Sequence, residues 1–477
     1  MTTDSTADTD PPQWSTGAGR IIGRRDGDVL RARGIRYARA ARFAPPTPEP
    51  PTDVIDATRP GPACPQPRME FTERVLGIIP GELDLDEDCL RVSVTVPADT
   101  APGDDLPVMV MIHGGSYTSG GGDLRIYDPA LLVAEQRVVV VNVTYRLGLL
   151  GYLGDGADRP ANLGLLDQIE ALRWVRTHIG AFGGAPDAVT VFGQSAGGDA
   201  TAHLMIAKGA EGLFHRAIIQ SPPIGVMPER SDMAAAMMTR AESLSAEADV
   251  EDVLAAQPGV EPPFARYGLR AGMPFGVQYG HHPLPAEADL DAAWSEAASR
   301  IEVLVGSTQR EAAFFVAKVA GERMTRPWVA PLVRRLVRRL TDDIYGRGVL
   351  AFADRHHRAG GRGQRYLITW GVPGNPFAAA HTIELPLLFE HPESWLGADL
   401  VAGADPRSCV GPGNACEHSG PTSPGPAAPM SSPSRGSSRC ATSRPRPGRA
   451  RPPPRRGGVR RGGGPVWDGA RAEAQEP

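Results

Sequence analysis

The chain has little lysine, little cysteine and no long hydrophobic run, and each shortage narrows the class of protein. Lysine stands only at Lys208 and Lys318 among 477 residues, whereas arginine is abundant, which is typical of a high-GC gene. Five cysteines, none with zinc-finger spacing to histidine, are too few for a disulfide scaffold. No window of about 18 consecutive apolar residues occurs, so we expect no membrane-spanning helix.

The overall charge and the amino-terminal residues exclude further classes. A formal net charge of −5 gives no general argument for a nucleic-acid partner. Residues 1–19 are rich in threonine, aspartate, proline and serine and are predicted to be disordered. Because they lack the apolar segment of a secretory signal, we expect a cytoplasmic protein. Asn142 begins a formal N-glycosylation acceptor, NVT, but its apolar surroundings favour a buried strand.

Residues 406–477 differ from the rest of the chain. They hold twelve arginines, no lysine and four acidic residues, which is a formal charge of +8. The segment is rich in proline and glycine and has no apolar periodicity, so a disordered tail is predicted. One alternative is an RNA- or phosphate-binding arm. Another is a frameshift, because a high-GC gene read out of frame yields this mixture of arginine, proline, glycine and serine.

Between residues 20 and 405, short apolar runs alternate with segments of helical period. Val108–Ile112 and Val138–Tyr145 are compact runs typical of buried strands, whereas the apolar positions of Leu165–Ile179 recur at helical spacing. Such alternation predicts an α/β domain with a mostly parallel central sheet flanked by helices. Residues 228–300 are helix-rich and are predicted to be an insertion over the sheet.

The pentapeptide around Ser195 has the G-x-S-x-G pattern of a nucleophile elbow. Glycines on both sides of a serine remove the Cβ clashes of an abrupt strand-to-helix turn, which holds the hydroxyl at the carboxyl end of the sheet. The helix amino terminus that follows favours developing negative charge. Such pentapeptides also occur by chance, but here the strand-like Ala188–Phe192 precedes the motif and a helix-like stretch follows it.

A second glycine-rich motif, HGGSY, directly follows the strand-like Val108–Ile112. Consecutive glycines leave backbone N–H groups free to converge on a tetrahedral oxyanion. We predict an oxyanion hole from the N–H groups of Gly115 and Ser116, together with that of Ala196 behind the nucleophile. An ordinary glycine-rich turn is the alternative. Phosphate binding is disfavoured because no Lys-Ser/Thr follows the glycines.

Several stretches in order resemble the type-B carboxylesterases, the α/β-hydrolase family that also contains cholinesterases and lipases. The resemblance runs from about residue 20 to residue 405 and therefore implies the α/β-hydrolase fold with a helical insertion over the active site. The stretches that carry it are RFAPP (42–46), ACPQP (63–67), EDCLRVSV (87–94), HGGSY (113–117), VNVTYRLGLLGYL (141–153), NLGLLDQIEALRWVRTHIGAFGG (162–184), VTVFGQSAGG (189–198), LFHRAIIQS (213–221), VLVGSTQREAAFF (303–315) and AAAHTIELPLLF (378–389).

The resemblance implies a catalytic triad in the chain order serine, glutamate, histidine. Ser195 matches the nucleophile. Glu311 matches the acid, which in the family follows a late strand in a G-x-x-x-x-E pattern, although its spacing alone also fits a surface carboxylate. His381 matches the histidine before an ELP segment. An acyl-enzyme mechanism would follow, with histidine as the general base, glutamate orienting it and no metal or cofactor.

Other residues match the scaffold of the family. Cys64 and Cys89 match its early disulfide, which would add about 3 kcal/mol in an oxidising setting and stay as two thiols in a reducing one. Two ion pairs are implied, Arg146 with Asp167 and Arg42 with Glu87. The adjacent His281 and His282 fall where family members line the substrate cleft, and a metal site there is disfavoured.

The chain also departs from the family. Ser116 replaces the third glycine of HGGG, which a backbone donor tolerates. Gln194 replaces the glutamate beside the nucleophile in cholinesterases, so choline esters are poor candidates. The family's final helices are absent after about Asp405, and their loss would expose apolar surface of the sheet.

These observations predict a serine hydrolase that cleaves small to medium carboxylic esters. Three alternatives remain open: a damaged, inactive carboxylesterase relative, a non-catalytic adhesion-type relative, and an amidase or carbamate hydrolase with the same triad. The expected partner is a small-molecule ester, not a nucleic acid or a membrane, and no feature identifies an oligomeric state.

Overall fold

The computed structural model describes residues 10–321, 323 and 326–404 of the chain. The predicted tail at 406–477 therefore lies outside the described residues, as do residues 1–9. The strands are β1 (Gln13–Thr16), β2 (Gly19–Ile22), β3 (Arg24–Asp26), β4 (Val29–Arg36), β5 (Ala38–Arg39), β6 (Thr47–Pro48), β7 (Val54–Asp56), β8 (Arg91–Pro97), β9 (Leu106–Ile112), β10 (Val139–Val143), β11 (Gly184–Gln194), β12 (Arg216–Gln220), β13 (Glu302–Thr308) and β14 (Gly363–Ile368).

Helices cover the sheet and connect its strands. The α-helices are α1 (Glu70–Leu76), α2 (Ala130–Gln136), α3 (Gly148–Gly151), α4 (Leu163–His178), α5 (Ala196–Leu204), α6 (Ser231–Ala241), α7 (Val250–Val260), α8 (Phe264–Tyr267), α9 (Leu290–Ala297), α10 (Ala313–Ala320), α11 (Ala330–Thr341), α12 (Arg347–Arg358) and α13 (Leu385–Leu388). Asp342–Gly346 is a π-helical turn. Short 3-10 helices span Arg125–Tyr127, Ile179–Phe182, Ile224–Val226, Gly268–Gly272, Glu287–Asp289, Pro392–Trp395 and Asp399–Val401.

Nine of these strands form the central sheet, in the order β14-β13-β12-β11-β9-β10-β8-β4-β3. The six from β14 to β10 run parallel, and β8, β4 and β3 continue the sheet antiparallel. The predicted α/β fold with a mostly parallel sheet is confirmed, and the antiparallel end is an addition to it. All five residues of β10 are buried, as expected for a parallel strand covered on both faces.

The parallel register brings functional segments to one edge. Gly193 of β11 lies opposite Ile112 of β9, and Gln194 lies opposite Gln220 of β12. Gln220 in turn lies opposite Gly306 of β13. Because the carboxyl ends of parallel strands share an edge, the segments after β9, β11 and β13 meet there.

The amino-terminal part of the domain differs from the prediction. Residues 13–16 form β1, which pairs antiparallel with β2, and β7 completes a three-stranded sheet. The prediction that all of 1–19 is disordered is therefore wrong for this strand. Trp14 explains the difference: its ring is 8% exposed and packs 4.9 Å, centroid to centroid, from Phe182.

Other predictions about the scaffold agree with the structure. The predicted helix over 165–179 is α4, and residues 228–300 contain α6 to α9. Arg146 and Asp167 form a buried ion pair with an Nη2–Oδ1 distance of 2.6 Å, and Arg42 pairs with Glu87. Asn142 is buried in β10 and donates to the carbonyls of Gly122 and Tyr127. Within the described part of the chain, no helix is long and apolar enough to cross a membrane.

Candidate active site

Ser195 stands at the turn between β11 and α5. Its backbone has φ 60° and ψ −124°, a strained conformation for a residue with a side chain. The flanking glycines make room for the turn, because a Cβ on Gly197 would lie 2.0 Å from the carbonyl oxygen of Ile112. A Cβ on Gly193 would lie 2.4 Å from the carbonyl oxygen of Gly197. The spacing of the motif thus follows from backbone atoms that leave no space for larger residues.

A hydrogen-bonded chain joins the three predicted triad residues. The Nε2 of His381 lies 2.8 Å from the Oγ of Ser195, and its Nδ1 lies 2.6 Å from the Oε2 of Glu311. The backbone N–H of Thr308 donates to the other carboxylate oxygen of Glu311 at 2.6 Å. Glu311 is fully buried and His381 is 3% exposed. The carboxylate is therefore held by one backbone donor and directed at the imidazole.

The loop after β9 supplies the predicted oxyanion donors. Gly115 has φ 114°, and a Cβ there would lie 1.9 Å from the carbonyl oxygen of Ser119. Ser116 has φ 58°. No acceptor among the described residues takes the backbone N–H groups of Gly115, Ser116 or Ala196. These three donors stay free at the same end of the sheet as Ser195.

Side chains next to this loop fix its position. The hydroxyl of Tyr117 donates to the carboxylate of Asp199 at 2.7 Å, which ties the loop to α5. His113 stacks on Tyr145 with ring centroids 4.3 Å apart, and burial lowers the pKa of His113 to about 4. The imidazole of His113 is therefore neutral at physiological pH and acts in packing. The role of Asp199 was not predicted, although its position one helical turn after Ser195 places both on one face of α5.

A second buried carboxyl group lies near the triad and was also not predicted. Glu384 is 1% exposed and accepts a hydrogen bond from the hydroxyl of Ser221. Burial, and then repulsion from Glu311, raise the pKa of Glu384 to about 8. Glu384 is thus largely protonated at neutral pH, and Glu311 is the carboxylate that faces the imidazole.

The site opens into a cavity of about 550 Å³. Ser195, His381 and Gln194 line it together with residues 114–116 and 118–120 of the loop after β9, which we call the oxyanion loop after its predicted donors. Its apolar wall includes Leu76, Ile78, Leu124, Phe314, Phe315 and Leu385, and the insertion contributes Ala271, Gly272 and Pro274. The cavity thus places the Ser195 hydroxyl and the His381 imidazole beside a largely apolar wall, as is typical of small-molecule sites.

The predicted cysteine pair and the two adjacent histidines lie outside the group of residues around Ser195. Cys64 and Cys89 are both buried and form no disulfide, and the neighbouring Cys64 thiol, together with burial, raises the pKa of Cys89. The expectation that His281 and His282 line the substrate cleft is not met. His281 lines a separate cavity, and neither histidine lines the cavity that contains Ser195. No group of three or more potential metal ligands occurs among the residues that the structure describes.

A strand–serine–helix elbow at the carboxyl edge of a mostly parallel sheet, with a facing histidine and carboxylate, defines an α/β-hydrolase. Residues 10–329 match the profile of the carboxylesterase family. The chain belongs to this family and is a carboxylic ester hydrolase.

This chain is similar to known enzymes in sequence and to solved esterase structures in fold. A probable N-octanoylanthranilate hydrolase of Rhodococcus erythropolis is 40% identical over 397 residues, which is 81% of this chain and 86% of that protein. The para-nitrobenzyl esterase of Bacillus subtilis (strain 168) is 45% identical over 219 residues, 43% of each chain. A thermophilic pNB esterase structure matches with a TM-score of 0.69 and 32% identity, covering 82% of this chain and 86% of that one.

Proposed function

We propose that Ser195, His381 and Glu311 form a catalytic triad that hydrolyses carboxylic esters through an acyl-enzyme. The observation that carries this proposal is the continuous chain of hydrogen bonds from the Ser195 hydroxyl through the imidazole to the Glu311 carboxylate. A serine hydroxyl is a weak nucleophile until such a base takes its proton. The two hydrogen bonds have the distances, and the three residues have the order, that this activation needs.

Acylation begins when the Oγ of Ser195 attacks the ester carbonyl carbon. The Nε2 of His381 takes the hydroxyl proton, and the Glu311 carboxylate stabilises the resulting imidazolium. The oxyanion of the tetrahedral intermediate accepts hydrogen bonds from the free N–H groups of Gly115, Ser116 and Ala196. The positive end of the α5 dipole adds to this stabilisation.

Collapse of the intermediate breaks the bond to the alcohol. His381 donates the proton that it took from Ser195 to the leaving alkoxide, which departs as the alcohol. Water then enters, gives a proton to the same imidazole and attacks the acyl carbon. The second intermediate collapses to the carboxylic acid and regenerates the Ser195 hydroxyl.

The cavity supports small to medium acyl or aryl esters as substrates. Its volume of about 550 Å³ lies within the range of roughly 300–1,000 Å³ that small-molecule sites occupy. Phe314 and Phe315 provide flat apolar surface next to His381. Gln194 is neutral, so this position gives no carboxylate to attract a quaternary ammonium group.

A second candidate reaction is amide hydrolysis. The similarity to a probable N-octanoylanthranilate hydrolase, whose named substrate carries its acyl group on nitrogen, favours this alternative. The same triad would cleave both bonds, with His381 protonating an amine in place of an alcohol. Carbamate hydrolysis by the same three residues is the third candidate reaction.

The decisive experiment is hydrolysis of p-nitrophenyl butyrate by the chain and by its Ser195→Ala variant. We expect turnover to fall by about 10⁴- to 10⁶-fold in the variant, on the scale of other triad deletions. Ser295→Ala, which removes an exposed hydroxyl from α9, should leave turnover unchanged. A folded protein without activity, or one whose activity survives Ser195→Ala, would overturn the proposal. Parallel assays with N-octanoylanthranilate and octanoate esters separate the two reactions.

A further inference from the structure

A second cavity of about 490 Å³ lies on the other side of Pro274 from the candidate active site. Residues 152–155, α6 with Arg230, and the segment 274–287 line it. Three methionines, Met233, Met237 and Met238, line it and provide unbranched side chains that adapt to an apolar ligand. Its volume is within the range of about 300–1,000 Å³ typical of small-molecule sites.

Arg230 places a buried positive charge in this apolar cavity. The residue is 7% exposed, and its Nη2 donates to the carbonyl oxygens of Met273 and Pro274 at 2.8 and 2.9 Å. Its Nη1 lies 3.5 Å from the carbonyl oxygen of Val226. A guanidinium carries five N–H donors. Three of the five N–H groups of Arg230 thus have an acceptor, and the Nε–H and one Nη1–H have none among the described residues. No described carboxylate forms an ion pair with Arg230 either.

The groups around Arg230 leave it charged. Burial lowers the pKa of Arg230 to about 10, against an opposing effect from the carboxylate of Asp199. Two other carboxylates, Asp155 and Glu287, also line the cavity. Both are more exposed and accept hydrogen bonds from backbone N–H groups, so solvent screens them more than it screens Arg230. Among the charged residues that line the cavity, Arg230 is the most buried.

The amino terminus of α6 reinforces this charge. Arg230 is its N-cap residue and makes no side-chain capping hydrogen bond. Ser231 and Met233, from the first turn, both line the cavity, and no acceptor among the described residues takes their backbone N–H groups. The N–H groups of a first helical turn favour an anion, and here they lie beside a guanidinium.

We propose that this cavity is a second binding site, for a medium-chain carboxylate whose charged end pairs with Arg230 and whose chain lies along the methionines. At about 30 Å³ per heavy atom, the share of a water molecule in the liquid, octanoate needs roughly 300 Å³. The cavity exceeds this volume. Such acids are the chemical class that ester cleavage releases, but binding at this site does not depend on the proposed catalytic mechanism.

The test is calorimetric titration of octanoate into the full chain after a fluorophosphonate has blocked Ser195. An alkyl fluorophosphonate leaves its phosphonyl group on Ser195 and its alkyl chain in the active-site cavity, so that the remaining octanoate binding reports on the second cavity. We expect one octanoate to bind. If the probe fails to label the protein, that result counts against the proposed nucleophile, and the same variants are then compared in the unblocked protein.

Substitutions identify where octanoate binds. Arg230→Met should weaken octanoate binding by about ten- to hundredfold, the value of a charge-assisted hydrogen bond. Arg230→Lys keeps the charge and should retain part of the affinity. Arg270→Met, which removes a neighbouring arginine paired with Glu229, is the matched control and should bind octanoate as the wild type does. Octanol binding should be the same with or without Arg230.

A cavity-filling variant keeps the test decisive if Arg230→Met does not fold. Ala234→Phe leaves Arg230 in place but occupies the cavity, and it should abolish octanoate binding. Absence of octanoate binding to the wild type, or unchanged affinity in a folded Arg230→Met or Ala234→Phe variant, would overturn the proposal.

Discussion

Replacing Glu384 with glutamine removes a buried carboxyl group whose ionisation destabilises the fold. The ordinary pKa of 4.5 rises to about 8, first through burial and then through repulsion from Glu311. Glutamine keeps the shape of the side chain and an oxygen that accepts from the Ser221 hydroxyl, but it has no proton to lose. We therefore expect the variant to differ from the wild type mainly in how its stability depends on pH.

The direction in which stability changes with pH depends on whether Glu384 loses its proton at lower pH in the folded or in the unfolded chain. Because the pKa is 4.5 in the unfolded chain and about 8 in the folded one, the unfolded chain ionises at lower pH. The contribution of protonated Glu384 is fully present below pH 4.5 and is lost as the pH rises to about 8. At about 1.4 kcal/mol per pKa unit, the loss reaches about 3 kcal/mol at neutral pH and at most about 5 kcal/mol above the folded pKa.

Urea denaturation of both proteins at about pH 5, 6, 7 and 8 measures this effect. Groups other than Glu384 titrate in both proteins, so the difference in the free energy of unfolding isolates this carboxyl group. The glutamine variant should gain stability relative to the wild type as the pH rises. A difference that is constant with pH, or that falls with pH, would refute the assignment of a raised pKa to Glu384.

Three further substitutions test the scaffold and the oxyanion loop. Asp167→Asn leaves the buried guanidinium of Arg146 without its ionised partner and should lower the free energy of unfolding by about 3–5 kcal/mol in urea denaturation. Gly197→Ala brings a Cβ to 2.0 Å from the carbonyl oxygen of Ile112 and should sharply reduce p-nitrophenyl butyrate hydrolysis and thermal stability. Ser116→Gly retains the backbone donor, so its turnover should stay within a few fold of wild type.

Each of these substitutions has a control or a contradicting outcome. Asp99→Asn breaks an exposed ion pair with Arg137 and should cost less than about 1 kcal/mol, so an equal effect would contradict the importance of burial. Gly180→Ala meets no atom within 4 Å and should be tolerated where Gly197→Ala is not. A loss of activity of about a hundredfold in Ser116→Gly would show that the hydroxyl, and not the backbone N–H, is required.

The parts of the site that follow from local chain geometry could be predicted from the sequence. The elbow around Ser195 and the loop after Val108–Ile112 are both strand endings marked by glycines, and local sterics explain both. The positions of Glu311 and His381 came only from the resemblance to the family. Nothing in the spacing of these two residues indicates that a sheet brings them together.

Side-chain pairs between distant segments could not be predicted. Ser221 and Glu384 are 163 positions apart, and Tyr117 and Asp199 are 82 apart. Their hydrogen bonds exist only after the sheet has formed, and neither partner belongs to a local motif. A buried carboxyl group that stays protonated also looks in the sequence like any surface glutamate.

Two expectations differ from the structure, the disorder of residues 13–16 and the position of His281, and in both cases contacts between distant segments are the cause. A polar composition predicted disorder over 1–19, but residues 13–16 pair with β2 and Trp14 packs on Phe182. The resemblance to the family placed His281 in the substrate cleft. His281 lines a different cavity, and a linear pattern does not indicate which cavity a side chain enters.

The spread of the triad along the chain has a consequence for synthesis. Ser195 is translated 186 residues before His381, and the bridge from Arg310 to Ala380 forms only once both segments exist. A nascent chain that ends before His381 therefore contains the residues of the nucleophile elbow and of the oxyanion loop but lacks the proposed base. Domains acquire structure as they emerge from the ribosome. We therefore expect esterase activity only from chains translated past His381, and premature termination products should not hydrolyse esters.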